Sequence, residues 1–138
     1  MSQEIVFELE RELTRSAERL TKVRPYECLV CYVNRMLEEF GCTGSRWMLR
    51  YRDLTAPRAT ALEERMRKMG AGCDCEVCLS AFEPDWHLIA SLPRQFDRLR
   101  WNADTSAVEK ASPAIPHCMG VRRGSTQPCL LWKRRPRR

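Results

Sequence analysis

No stretch of this 138-residue chain approaches the roughly 20 apolar residues that a membrane-spanning helix requires. The start of the chain also lacks the pattern of a secretion signal. Ile5, Val6 and Phe7 form only a brief apolar run, Glu4, Glu8 and Glu10 surround it, and no basic residue precedes it. Sustained alternation of period two is missing, so any strands are expected to be short, and no repeat of solenoid length is present. Several catalytic signatures are absent too: a phosphate-cradling Gly-rich loop ending in Lys-Ser/Thr, a His-x-Glu beside a Cys pair, and a nucleophile elbow. Histidine is scarce, with His87 and His117 alone. These absences lead to the expectation of a soluble, cytoplasmic protein, with an enzyme the less favoured of the readings left open.

Charge of one sign is also missing from most of the chain. Residues 1–101 carry 16 Lys and Arg against 16 Asp and Glu. Residues 102–138 carry 8 against Asp104 and Glu109, and so hold the whole net charge of +6. The basic pI therefore implies no basic face on the folded body.

What the chain does have is cysteine, eight in all. Without a secretion signal, thiols kept reduced for metal binding are favoured over a disulfide framework. Six fall into two groups of three, Cys28, Cys31 and Cys42, then Cys73, Cys75 and Cys78. Zinc takes four tetrahedral ligands, with sulfur at about 2.3 Å. Six thiolates leave either one zinc and two spare thiols, or two metals sharing bridging sulfurs.

Helical periodicity dominates the rest. Ser2–Leu20 reads as an amphipathic helix capped by Ser2, with Val6, Leu9, Leu13, Ala17 and Leu20 on one face. A second helix is expected from Pro25 to Phe40, stopped by Gly41, with a core stripe of Tyr26, Leu29, Val33, Met36, Leu37 and Phe40. Cys28 and Cys31 lie off that stripe but one turn apart, which suits ligands better than core filler. Ser45 is placed to cap a third helix through Leu54. A fourth carries Ala59, Leu62, Met66 and Met69 inward and stops at Gly70. Short helical pieces are expected over 76–82, 86–92 and 95–101. Asp74 and Glu76 are read as capping the helix that follows them and orienting the thiols. The fold expected is mainly α, a small helical bundle over 1–101 whose loops converge on a cysteine-rich zinc site. Residues 102–138, with four prolines, two glycines and no periodicity, are expected to be a flexible basic tail in which Cys118 and Cys129 are free thiols.

The segment Leu37-Glu-Glu-Phe-Gly-Cys42-Thr-Gly44-Ser45, followed by Gly70-Ala-Gly-Cys73-Asp-Cys75-Glu-Val77, resembles a family of short bacterial proteins classed as a domain of unknown function. That family is marked by Gly-Cys-x-x-Thr and, about thirty residues later, Cys-Asp-Cys-Glu-Val. The resemblance covers about 37–82 and implies that Cys42, Cys73 and Cys75 belong to the family pattern. The chain departs from it in having Thr43 for Asp, Ser45 for Thr, and Cys78 for an apolar residue, so Cys78 is either an added ligand or core.

Three function classes follow. The first is a non-enzymatic zinc-binding protein acting as an interaction or regulatory module on an unknown protein partner. The second is a nucleic-acid binder working through Lys133, Arg134, Arg135, Arg137 and Arg138 beside Trp132. The third is a thiol redox or metal-dependent enzyme. Cys28-Leu-Val-Cys31 has redox spacing without the βαβ setting that goes with it, and the cysteine spacings match no common iron–sulfur run.

Overall fold

The computed structural model describes residues 3–92 and 115–136, and it is mainly helical. Its centre is helix α2, Leu29–Phe40, which buries Leu29, Val30, Cys31, Tyr32, Val33 and Met36. The helix begins later than Pro25 because Tyr26 sits at φ 61°, a left-handed conformation that a right-handed helix cannot contain. Cys28 is the N-cap, with extended backbone and its sulfur accepting the Cys31 N–H at 3.3 Å. Gly41, at φ 79°, ends the helix as the sequence implies. Tyr26 and Phe40, both expected in the core stripe, are exposed.

Helix α3, Arg46–Thr55, lays Trp47, Met48 and Tyr51 against α2, with the Tyr32 and Tyr51 rings 5.8 Å apart. Helix α4, Leu62–Lys68, adds Leu62 and Met66. A single turn of helix, α5 over Asp74–Glu76, runs into a π-helical turn at Val77–Ala81 and then strand β1, Phe82–Pro84. Asp85 caps the short α6, Trp86–Ser91, by accepting the Leu88 N–H at 3.1 Å. Strand β2, Trp132–Arg134, pairs antiparallel with β1, Glu83 opposite Lys133.

Two expectations about the ends of the chain differ from what is observed. Helix α1 forms over Gln3–Leu20, but none of its residues is buried, and Val6, Leu9, Leu13 and Leu20 are exposed. Periodicity defines an apolar face; burying it takes a facing surface, and among the described residues none covers this one. At the other end, residues 115–136 are not a detached tail. Cys129, Leu131 and Trp132 lie in the same core as the helices, and the Tyr51 hydroxyl donates to the Ser125 and Glu27 carbonyls at 2.9 and 3.0 Å. The segment has no periodicity because it is a string of turns, yet it supplies apolar side chains and a strand edge where β1 offers a partner. The turn expected over 95–101 lies outside the described residues.

Candidate metal centres

Seven of the eight cysteines form two separate groups rather than one. The first joins Cys28 and Cys31, at the start of α2, to Cys118 and Cys129, and all four sulfurs lie within 4.8 Å of one another. Cys28, Cys31 and Cys129 are buried and Cys118 is half-buried. The Cys31 and Cys129 sulfurs are 3.7 Å apart. A tetrahedron with sulfur at 2.3 Å from its centre has edges of about 3.8 Å, so this spacing suits a shared ion.

N–H groups surround these sulfurs. Cys118 Sγ accepts from the Cys28 and Gly120 backbone N–H groups at 3.2 and 3.3 Å, Cys28 Sγ accepts from Cys31, and the Trp132 indole N–H donates to Cys31 Sγ at 3.2 Å. Such donors favour thiolate over thiol, as does a position at a helix N-terminus. The four groups divide the negative charge unequally. Cys118 is pulled down by hydrogen bonds from Cys129 and then from Cys28 and Cys31. Cys129 lies at about 7, where a hydrogen bond with Cys118 that pushes it up is outweighed by those with Cys28 and Cys31. Cys28 and Cys31 are pushed up, chiefly by sharing a hydrogen bond with Cys118, and then by Cys129.

The segment carrying Cys118 and Cys129 is tied to the residues just before α2. Val121 N–H donates to the Tyr26 carbonyl at 2.9 Å, and Gly120 beside it adopts φ 89°, a left-handed conformation that favours glycine. The left-handed turn at Tyr26 thus faces the turn at Gly120, and each presents its cysteine to the other. Glu27, itself buried, is clamped by Arg35 through bonds of 2.7 and 3.0 Å, which fixes the chain entering Cys28. A cleft of about 270 Å³ lined in part by Cys31, His117, Cys118 and Trp132 gives access to the group from solvent.

The second group is Cys42, Cys73 and Cys75, again within 4.8 Å, with Cys42 exposed and the other two half-buried. Asp74 holds it together. Its carboxylate, 0% exposed, accepts the Trp47 N–H at 2.8 Å and the Met48 N–H at 3.0 Å, so it caps α3 from across the fold. Its own N–H donates to the Gly44 carbonyl at 2.8 Å. Asp74 therefore caps the preceding α3 rather than the helix that follows it, and Ser45, expected in that role, makes no side-chain cap bond. Glu76 folds back to accept the Gly72 N–H at 3.0 Å. Burial pushes the Asp74 carboxyl up, against the pull of its two N–H bonds. The Cys75 backbone N–H lowers the Cys42 thiol, while hydrogen bonding with Cys73 and then Cys42 raises Cys75 to about 12.

Of the six cysteines expected to converge, Cys28 and Cys31 go to one group and Cys42, Cys73 and Cys75 to the other. Cys78 joins neither: it packs against the core from within the π-helical turn, where burial raises it to about 12. Residues 29–80 match the family described as "Protein of unknown function (DUF2695)". That span contains the whole of the second group but only Cys31 of the first, and it reaches further toward the N-terminus than the resemblance expected over about 37–82. No curated protein and no solved structure matches the chain. The DUF2695 match thus leaves Cys118 and Cys129 outside the recognised region, and reasoning from the sequence missed them as well. The signal available was Gly120 and Pro128, turn residues two after one cysteine and just before the other.

The basic residues of the C-terminal segment are partly engaged. Lys133 and Arg135 pair with Glu83 at 3.7 and 3.2 Å, and Arg135 also donates to the Phe82 carbonyl. Arg137 and Arg138 lie outside the described residues. No described helix is long and apolar enough to cross a membrane.

Proposed function

We propose that this protein is a non-enzymatic zinc-binding module whose fold is closed by a structural zinc on Cys28, Cys31, Cys118 and Cys129, and which serves as an interaction or regulatory domain. The observation that carries this reading is the approach of four sulfurs to within 4.8 Å of one another, from segments some ninety residues apart. Four thiolates leave zinc no open position, which suits structure rather than catalysis. Zinc is favoured over other ions by the all-sulfur donor set and the tetrahedral spacing. The Trp132 and Gly120 N–H groups would hold Cys31 and Cys118 in the orientation the ion requires.

The test is elemental analysis with thiol counting on the full chain purified without added metal. At least about one equivalent of zinc is expected, with four thiols shielded from reagent until a chelator is added. Cys129→Ser should lower the zinc content by about one equivalent, whereas Cys78→Ser should leave it unchanged. Less than about half an equivalent of any transition metal, with all thiols titrating freely in the folded protein, would overturn the proposal.

A further inference from the structure

Cys42, Cys73 and Cys75 form a cluster that the tetrathiolate site does not use. The group stops at three: among the described residues no further Cys, His, Asp or Glu atom comes within 4.8 Å of all three sulfurs. The two neighbouring acidic side chains are committed elsewhere, Asp74 to the start of α3 and Glu76 to Gly72. Cys78, next along the chain, is turned into the core.

The arrangement is nevertheless braced. Asp74 lies between Cys73 and Cys75, and by bonding Trp47, Met48 and Gly44 it fixes both thiols against the loop that carries Cys42. Cys42 is exposed, so the cluster opens to solvent on one side, whereas the four-thiol group has three buried members. A soft donor set of this kind selects thiophilic ions over magnesium or calcium. Three thiolates within 4.8 Å of one another concentrate negative charge, which favours a divalent over a monovalent ion. The Cys73 and Cys75 sulfurs, 3.0 Å apart, need to spread by only about 0.8 Å to reach the edge of a zinc tetrahedron.

We infer that Cys42, Cys73 and Cys75 hold a second, exchangeable zinc ion whose fourth position is filled by a donor from outside the chain, a water molecule or a small thiol. Three protein ligands and an open place is the arrangement that lets zinc accept and release a ligand, in contrast to the closed four-thiolate site.

Cobalt(II) titration of the full chain under anaerobic conditions tests this directly. The wild type should take up about two equivalents, both displaced by zinc, and the visible band of one should shift when a small thiol or imidazole is added. Cys42→Ser, at an exposed loop position, should bind about one equivalent less and lose that sensitivity, with its far-UV circular dichroism unchanged. A single equivalent in the wild type that persists in Cys42→Ser would overturn the inference. So would a second equivalent whose spectrum ignores added donors, or one that zinc fails to displace. One equivalent in the wild type and none in Cys42→Ser would instead support this site and reject the tetrathiolate one.

Discussion

Metal ligands must be deprotonated, so the unequal sharing of protons among the four core thiols has a measurable consequence. Without metal, the shared hydrogen bonds push Cys28 and Cys31 toward the thiol form and draw Cys118 and Cys129 toward thiolate. Zinc uptake at this site should therefore release about two to three protons, where four ordinary thiols would release about four. Calorimetric titration of Cys42→Ser in buffers of different ionisation enthalpy gives the count, and affinity should fall as the pH is lowered. Asp74 is the other residue with a disproportionate role. Asp74→Asn keeps one acceptor but turns an N–H toward the start of α3, and should cost about 1–3 kcal/mol in chemical unfolding. It should also weaken cobalt binding at the Cys42 group by about 10–100-fold, because it loosens Cys73 and Cys75 together. Glu76→Gln, at an exposed bond to Gly72, should do neither.

Among the elements, α2 to α4 were legible from their apolar spacing, with Gly41 and Gly70 marking where α2 and α4 stop. The start of α2 was not, since Pro25 favours a first helical turn while Tyr26 adopts a left-handed conformation, its carbonyl accepting the Val121 N–H from far along the chain. The same distance explains the site. Cys28 and Cys31 were visible as two thiols on one helical turn. Cys118 and Cys129 sit on turns with no period, and only the folded chain brings them near α2. The stripe of α1 was legible as a stripe, but not as an exposed one. Removing residues 1–19 should accordingly change stability by less than about 1 kcal/mol and leave the metal content intact, as thermal unfolding and elemental analysis would show. Thr21 must be retained, because its carbonyl accepts the Tyr32 hydroxyl at 2.6 Å.

For the molecule as a whole, the four-thiol group ties together parts of the chain as much as 101 residues apart, as Cys28 and Cys129 are. In a simple cross-link picture, closing a loop of about 100 residues is worth about 4–5 kcal/mol. Chelation should thus lower the melting temperature markedly and free the C-terminal segment first. Trypsin should then cut at Lys133, whose backbone is held in β2, faster than in the zinc-loaded protein. Cys118 and Cys129 follow almost the whole helical body in sequence, which bears on synthesis. A nascent chain that has not yet extended past Cys129 carries at most three of the four core thiols, so the proposed structural ion would be captured only after the helical body has emerged. Zinc at the four-thiol group would then distinguish chains that extend past Cys129 from those terminated before it.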